Sequence, residues 1–213
     1  MMKSARYFDA HCHLQDQRFE NQIDLIIEKS LLKKVGWMCS CGTSESDWDQ
    51  LISLSSQFSC IIPALAVHPW YIDSISENWL TLLEEKLITH GTIIGECGLD
   101  FVIKDVDKEK QLYVFEQQLL LAQKLKKTVC IHCRGAWQSL IQVLDKVGEL
   151  PGSGLIHSYS GSADMVSELE KRGFYISFSG SVTNLNNKKI EKALRKVSSH
   201  RLLTETDSPD ITP

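Results

Sequence analysis

The sequence contains no long run of apolar residues and no excess of positive charge. Its apolar stretches are shorter than the roughly 18 residues that a membrane-spanning helix needs, and its first residues lack the apolar core of a secretory signal. The formal net charge is -4, so a broad basic surface of the kind that binds nucleic acid non-specifically is excluded. These absences predict a cytoplasmic protein without a membrane partner, in which any anionic substrate is bound by local positive groups or by metal.

The residues that are present suffice for one folded domain. The chain has 213 residues, of which 43% are hydrophobic, and we predict a single domain over 1–213. Its seven cysteines are odd in number and mostly lie in apolar segments, which is typical of reduced, buried thiols. Cys130 and Cys133 form a C-x-x-C, but on a strand their side chains point to opposite faces. Cys39 and Cys41 share a face, yet no second pair completes a tetrahedral site.

Short β-rich segments alternate with longer amphipathic segments along the chain. Eight strands are predicted, at 6–11, 36–40, 61–67, 92–96, 128–132, 154–157, 175–179 and 201–205. Seven helices are predicted between them, at 21–34, 46–58, 77–90, 108–126, 136–147, 163–172 and 188–198. Strict alternation implies parallel strands joined by right-handed crossovers, so we expect an α/β protein with a (β/α)8 TIM barrel. An open doubly wound sheet is disfavoured because no G-x-G-x-x-G follows the first strand.

No eighth helix is predicted after the last strand, because Pro213 lies only four residues beyond Pro209. Parallel strands are normally buried on both faces, so the outer face of the strand at 201–205 would be left uncovered. We therefore expect a barrel whose eighth helix is absent from this chain, either through truncation or because another segment or a second copy in a homo-oligomer covers that strand.

His11 and His13 stand one residue apart at the end of the first predicted strand. Alternate side chains of a strand share a face, so both imidazoles can reach one metal ion. The active site of a TIM barrel lies at the carboxyl ends of its strands. Further polar residues fall at the ends of the other predicted strands, namely His68, Glu96, His132, His157 and Asp207. Unrelated histidines and acids have no reason to gather at one end of six strands, and their convergence predicts a metal site.

This set of ligands is larger than the four that one zinc ion takes, so the sequence predicts two divalent cations a few ångströms apart. The predicted ligands are His11, His13, Glu96, His132, His157 and Asp207. The two amino-terminal histidines and the aspartate would hold one ion, the other two histidines would hold the second, and the glutamate would bridge. Nitrogen and oxygen ligands suit Zn, Mn, Fe or Ni, and Mg where water completes its shell.

Other residues near the strand ends each admit two interpretations. Arg134 could bind a substrate phosphate or be a solvated loop arginine. Asp9 shares a face with His11 and could orient it, or could form a buried salt bridge. Gly95 and Gly98 flank Glu96 and would allow the backbone to approach an ion or ligand closely.

At these residues the chain resembles the TatD family of metal-dependent hydrolases, within the amidohydrolase superfamily. The matching segments occur in family order over nearly the whole chain. They are Phe8-Asp9-Ala10-His11-Cys12-His13, Ala66-Val67-His68-Pro69, Ile94-Gly95-Glu96-Cys97-Gly98-Leu99-Asp100, Ile131-His132-Cys133-Arg134, Ile156-His157-Ser158-Tyr159-Ser160-Gly161 and Glu205-Thr206-Asp207-Ser208-Pro209. Three positions depart from the family pattern: Cys97 replaces an aliphatic residue, and Ser158-Tyr159 replaces Cys-Phe.

The resemblance implies a two-metal phosphodiesterase that acts as a deoxyribonuclease, with exonuclease action on DNA ends. By matching positions, the six predicted metal ligands would bind the cations, and His68 would contact the scissile phosphate. Arg134, from its place beside His132, is a second candidate for substrate binding. Asp207 is the candidate acceptor of the proton of the attacking water, so Asp207, His68 and Glu96 are the expected catalytic residues.

Two other functions remain open from the sequence. The same architecture can hydrolyse amides, lactones or cyclic imides. Related amidohydrolases often bridge their metals with a carboxylated lysine on the fourth strand, where this chain has Glu96, and that difference favours the phosphodiesterase. A non-catalytic barrel that retains the metal site is the third interpretation.

Overall fold

A computed structural model describes residues 7–184 and 186–212, in which eight parallel strands form one sheet in chain order. The strands are β1 (Tyr7–Cys12), β2 (Val35–Cys41), β3 (Ile61–Leu65), β4 (Ile93–Asp100), β5 (Val129–Arg134), β6 (Gly154–Ile156), β7 (Phe174–Phe178) and β8 (Leu202–Thr204). The α-helices are α1 (Ile23–Leu32), α2 (Trp48–Gln57), α3 (Trp79–His90), α4 (Lys108–Leu125), α5 (Trp137–Val147), α6 (Ala163–Lys171) and α7 (Lys188–Lys196). The predicted start of the first strand, Arg6, lies outside the described residues.

The order of the strands confirms the predicted TIM barrel. Each strand pairs in parallel with the next one along the chain, and one α-helix crosses over between each consecutive pair. This arrangement brings the carboxyl ends of all eight strands to one end of the barrel, which is where active sites of this fold lie.

The helix α4 shows how local sequence sets the element boundaries. The side chain of Asp107 accepts a hydrogen bond of 2.9 Å from the backbone N–H of Lys110, which caps the helix. Lys126 adopts the left-handed conformation, with φ of 53°, at its carboxyl end. Between these limits Phe115 and Leu119 are fully buried against the barrel. Among the described residues, no helix, α4 included, combines the length and apolar character needed to cross a bilayer.

The strand β4 is longer than predicted. The sequence places its end at Glu96, but the ladder with β5 continues from Cys97 to Asp100, where Asp100 pairs with Arg134. The register of this ladder shifts between Ile94 and Cys97, and the backbone N–H of Glu96 donates instead to the carbonyl of Gly42 at 3.0 Å. The predicted boundary was wrong because cross-strand pairing carried the strand past a polar residue, so Glu96 lies within β4 and Asp100 lies at its end.

The core has two layers of unequal size. The larger one lies between the strands and the helices. The smaller one fills the inside of the barrel and consists of Ala10, Cys39, Cys41, Ala64, Cys130 and Leu155. Cys133 belongs to the outer layer, so the two thiols of the C-x-x-C face opposite sides of β5, as the strand parity predicts.

The seam between β8 and β1 is joined by loop residues. The N–H of Asp207 donates to the carbonyl of His11 at 2.9 Å, and the N–H of His13 donates to the carbonyl of Ser208 at 2.8 Å. No helix follows β8 within the described residues, and its Leu202, Leu203 and Thr204 are partly or fully exposed. A covering segment or second subunit remains a prediction.

Candidate metal centre

Seven ionisable side chains meet at the carboxyl end of the barrel. Six of them are at most 8% exposed, and His13 is partly exposed. The seven are His11, His13, His68, Glu96, His132, His157 and Asp207. Every residue that the sequence predicts as a ligand is therefore brought to one place by the fold.

One group of these residues faces Oε2 of Glu96. The Nε2 atoms of His11 and His13 lie 3.2 Å apart, and they lie 3.3 and 3.4 Å from this oxygen. Oδ1 of Asp207 lies 3.5 Å from each of the two nitrogens. Ligand atoms that are each about 2 Å from one zinc ion in tetrahedral geometry lie about 3.3 Å apart, so these distances fit a shared cation.

A second group faces the other oxygen of Glu96. Nε2 of His157 lies 2.6 Å from Oε1, Nδ1 of His132 lies 2.9 Å from it, and the two nitrogens are 3.3 Å apart. Nε2 of His68 lies 3.4 Å from the same oxygen. The two carboxylate oxygens of Glu96 thus face different imidazoles, and ligand atoms of His11, Glu96 and His157 also lie within 4.8 Å of one another.

The hydrogen bonds of the imidazoles test whether this centre fits a cation. Nδ1 of His13 donates to the carbonyl of Cys41 at 2.7 Å, so its Nε2 presents a lone pair toward His11. Nε2 of His132 lies 3.2 Å from Oδ2 of Asp100, which leaves Nδ1 to present its lone pair to the centre. Outer partners that fix the tautomer in this way are typical of metal-ligating histidines. The donor set therefore fits metal.

The two acids at the centre favour their charged forms. Burial by itself would raise the pKa of Glu96, but His157, His68 and His11 hold it well below its ordinary value. Burial opposes ionisation of Asp207 as well, and its hydrogen bond with His13 together with the charge of His157 lowers its pKa. Metal-ligating carboxylates must be deprotonated, and this environment keeps them so.

His68 has a different hydrogen-bond pattern from the other imidazoles. Its Nδ1 accepts from the backbone N–H of Trp70 at 3.2 Å, so its Nε2 carries the proton and points toward Glu96. Burial lowers the pKa of His68 to about 4, and Glu96 only partly offsets that effect. His68 is thus a neutral hydrogen-bond donor at neutral pH, which suits contact with an anionic substrate better than metal ligation.

Arg134 lies at the mouth of the centre. Its guanidinium is 3.3 Å from Oδ2 of Asp100, and 44% of its side chain is exposed. A phosphate contact by Arg134 remains a prediction.

Asp9 connects the two sides of the barrel seam. Its Oδ1 accepts from the backbone N–H of Thr206 at 3.0 Å, and its Oδ2 accepts from the Thr206 hydroxyl at 2.7 Å. Its Oδ1 also lies 3.3 Å from the N–H of His11. Asp9 holds the loop that carries Asp207 against β1. Within the described residues Asp9 forms no salt bridge, which was its alternative role.

The glycines around Glu96 make room for a neighbouring strand. A Cβ at Gly98 would lie 2.0 Å from the carbonyl oxygen of His132, and φ at Gly98 is 147°. A Cβ at Gly95 would lie 2.6 Å from the Cβ of Cys130. The expectation that these glycines admit an ion or ligand was wrong, because β5 occupies the space.

The family comparison agrees with this geometry. The model of the TatD-related DNase family matches residues 8–213. This chain belongs to the TatD family of metal-dependent hydrolases. The resemblance inferred from the sequence motifs is thereby confirmed.

Individual TatD relatives match over most of their length. An uncharacterised metal-dependent hydrolase of Bacillus subtilis, YabD, is 31% identical over 208 residues, which are 97% of this chain and 81% of that protein. The 3'-5' ssDNA/RNA exonuclease TatD of Citrobacter koseri is 28% identical over 97% of this chain and 80% of its own length. The crystal structure of YjjV, a TatD homologue of Escherichia coli K12, has a TM-score of 0.93 at 26% identity, covering 99% of this chain and 82% of that one.

Two further acids of this TatD chain contact the imidazoles of the centre from outside. Asp100 accepts from Nε1 of Trp70 at 2.8 Å and from the N–H of Val102 at 3.0 Å besides contacting His132. Although burial opposes it, these hydrogen bonds hold the pKa of Asp100 well below its ordinary value. Glu205, with a fully buried side chain, accepts from the N–H of Ser158 at 2.8 Å and lies 3.7 Å from Nδ1 of His157. Both acids lie in the quoted motifs, but only the three-dimensional contacts reveal what they orient.

Proposed function

We propose that this TatD-family hydrolase cleaves phosphodiester bonds at the 3' ends of single-stranded nucleic acid through two divalent cations. The observation that carries the proposal is the division of the centre by Glu96, whose two oxygens face two imidazole sets. A pair of cations a few ångströms apart clamps the attacking and leaving oxygens of an in-line displacement at phosphorus. The similarity to the Citrobacter koseri exonuclease supports the substrate and the polarity.

Six side chains would hold the cations in this proposal. The first ion would take His11, His13 and Asp207, the second would take His132 and His157, and Glu96 would bridge them. When bound, the ions supply an activated water and neutralise the charge of the phosphodiester. Zn, Mn and Mg are all compatible with nitrogen and oxygen ligands.

Three protein groups would act on the substrate and its protons. Asp207, whose side chain is 12% exposed, lies at the edge of the first group and would accept the proton of the attacking water. His68 would donate from Nε2 to a phosphate oxygen, because its Nδ1 is held by the backbone N–H of Trp70. Arg134 would neutralise a neighbouring phosphate through its exposed donors.

Two aromatic residues beside His68 offer a surface for a nucleobase. Trp70 is 51% exposed and Tyr71 is 43% exposed. The indole is held in place by its hydrogen bond to Asp100, and its ring centroid is 5.2 Å from that of His68. Bases of single strands stack on such exposed aromatic rings without regard to sequence. Trp70 would therefore hold the terminal base while its phosphate lies at the cations.

Cleavage of end-labelled oligonucleotides tests this function. The purified protein is first assayed for bound metal and then incubated with 5'-labelled single strands, with and without a chelator. We expect two ions per chain and chelator-sensitive shortening from the 3' end, which a 3'-blocked strand resists. Bound metal with turnover of a cyclic imide or amide, and none of DNA or RNA, would replace the phosphodiesterase with the amidohydrolase function. Neither metal nor turnover would leave a non-catalytic barrel.

A further inference from the structure

A group of thiols lies directly beneath the metal centre, inside the barrel. Sγ of Cys41, Sγ of Cys130 and a ring nitrogen of His11 all lie within 4.8 Å of one another, and Nδ1 is the nitrogen that faces Cys130. The three residues are between 0% and 2% exposed. Cys41 ends β2, and Cys130 lies on β5, so the fold brings together thiols that are far apart in the sequence. The sequence pattern shows no further ligand for Cys41, and the barrel brings Cys130 and His11 beside it.

The two nitrogens of His11 face chemically different surroundings. Nε2 faces the carboxylates of Glu96 and Asp207 at 3.3 and 3.5 Å. Nδ1 faces Sγ of Cys130 at 3.2 Å, where metal-ligating histidines usually meet an oxygen acceptor. Hard divalent cations prefer the carboxylate side, whereas thiolates select soft ions. His11 thus has carboxylate oxygens at one nitrogen and a thiol at the other.

The surroundings of the thiols favour an ion of low coordination number. Their neighbours inside the barrel are Ala10, Ala64 and Leu155, which offer no side-chain ligand, and Cys39, which lies outside the group of three ligand atoms. The group therefore presents two sulfurs and one nitrogen. Zinc normally takes four ligands in a structural site, while copper(I) combines a preference for thiolate with tolerance of three ligands.

We propose that Cys41, Cys130 and Nδ1 of His11 bind copper(I) inside the barrel, and that this ion opposes binding of divalent metal above it. Coordination releases the two thiol protons to solvent and moves the proton of the imidazole from Nδ1 to Nε2. With a proton on Nε2, His11 no longer ligates the upper cation. Linkage requires the converse as well, so a divalent ion on Nε2 weakens copper binding by the same factor.

Competition for copper(I) under anaerobic conditions tests the proposed copper site independently of the divalent metal centre. Metal-free full-length protein competes with a chromogenic copper(I) chelator. We expect one tightly held copper per chain. Cys41→Ala or Cys130→Ala should weaken copper binding more than about 100-fold, because loss of a residue that only hydrogen-bonds a ligand costs up to about 100-fold in metal affinity. Cys60→Ala and Cys133→Ala, which remove buried thiols of the outer layer, are matched controls and should bind as wild type does. X-ray absorption should report two sulfurs and one nitrogen.

Two results would overturn the proposed copper site: copper that the chelator removes equally from all variants, or tight binding that survives loss of both thiols. Cys41→Ser and Cys130→Ser, checked for native thermal unfolding, guard against misfolded variants. The competition between the sites rests additionally on the proposed role of His11 as a metal ligand. This competition is measured as the affinity of the protein for manganese with and without one equivalent of copper(I). An unchanged manganese affinity refutes the coupling between the two sites. The anaerobic titration still decides whether the copper site exists.

Discussion

The two carboxylate oxygens of Glu96 face similar side chains, but different backbone contacts hold those side chains in place. The residues that face Oε1 are positioned by the ladder between β4 and β5, where Gly98 pairs with His132. His157 is positioned by its N–H, which donates to the carbonyl of Ile131 at 3.1 Å. The side at Oε2 spans the barrel seam, where β8 has three residues and Asp207 is in the left-handed conformation with φ of 57°. Continuous strand pairing positions one set of ligands, and loop contacts position the other.

This difference assigns the outer partners separate tasks. Asp100 orients His132 through a contact within the paired strands. Asp9 orients no imidazole ring; it binds Thr206 and so holds the loop that delivers Asp207. The seam side therefore depends on two backbone hydrogen bonds and on the side chain of Asp9 in place of a ladder, and it should weaken first when the Asp9 contacts are removed.

Glu96→Gln should have the largest effect, because it removes the charge that both sides share. Loss of several kcal/mol of transition-state stabilisation corresponds to about a 1,000-fold fall in kcat/KM. Metal analysis should show weakened binding of both ions. Glu84→Gln, a partly exposed residue paired with Lys124 on the surface, is the control. Retention of both ions and of near-normal turnover would remove Glu96 from its bridging position.

Asp9→Asn should affect the seam side alone. The amide cannot accept both hydrogen bonds from Thr206, and loss of bonds to a buried charged group costs about 1.5 to 3 kcal/mol in the free energy of unfolding. We expect one weakened ion, one ion that binds as before, and reduced stability in urea. Asp73→Asn, whose side chain is 77% exposed, should change neither quantity. An equal loss of binding affinity for both ions would contradict the conclusion that Asp9 positions only the ligands that face Oε2 of Glu96.

Asp100→Asn should weaken the ion on the other side. An amide in place of the carboxylate no longer holds the tautomer of His132, and loss of such a partner typically costs about 10- to 100-fold in metal affinity. Calorimetric titration with manganese should show the weaker step, with the seam ion unaffected. Asp49→Asn, 85% exposed at its side chain, serves as the control. An unchanged titration would show that backbone pairing alone orients His132.

Trp70→Ala should have the smallest effect and should leave both ions bound. Loss of one stacked base at an exposed site costs about 1 kcal/mol, so KM for a single-stranded oligonucleotide should rise about fivefold. Trp37→Ala removes another exposed indole, 41% accessible on β2, and should leave KM as it was. If the two substitutions raise KM equally, Trp70 has no specific role in stacking.

The sequence predicted the site better than it predicted the boundaries around it. Alternating hydrophobic patterns located all eight strands, because each strand of a parallel barrel is a short apolar segment between amphipathic helices. Glu96 was recognised as part of the site although its strand was ended too early. The ladder from Cys97 to Asp100 is formed by pairing with β5, and no local pattern in β4 encodes that partner. For the same reason the contact of Asp100 with His132 is not evident from the sequence.

The sequence by itself determined the barrel class, the family and the residues that gather at the strand ends, because periodicity and motif spacing are local properties of the chain. Only the tertiary structure decided which oxygen of Glu96 faces which imidazoles, how Asp9 joins the seam, and that the thiols of Cys41 and Cys130 lie beneath His11. Those relations join residues on different strands, and their distances depend on register, twist and closure, which are properties of the assembled barrel.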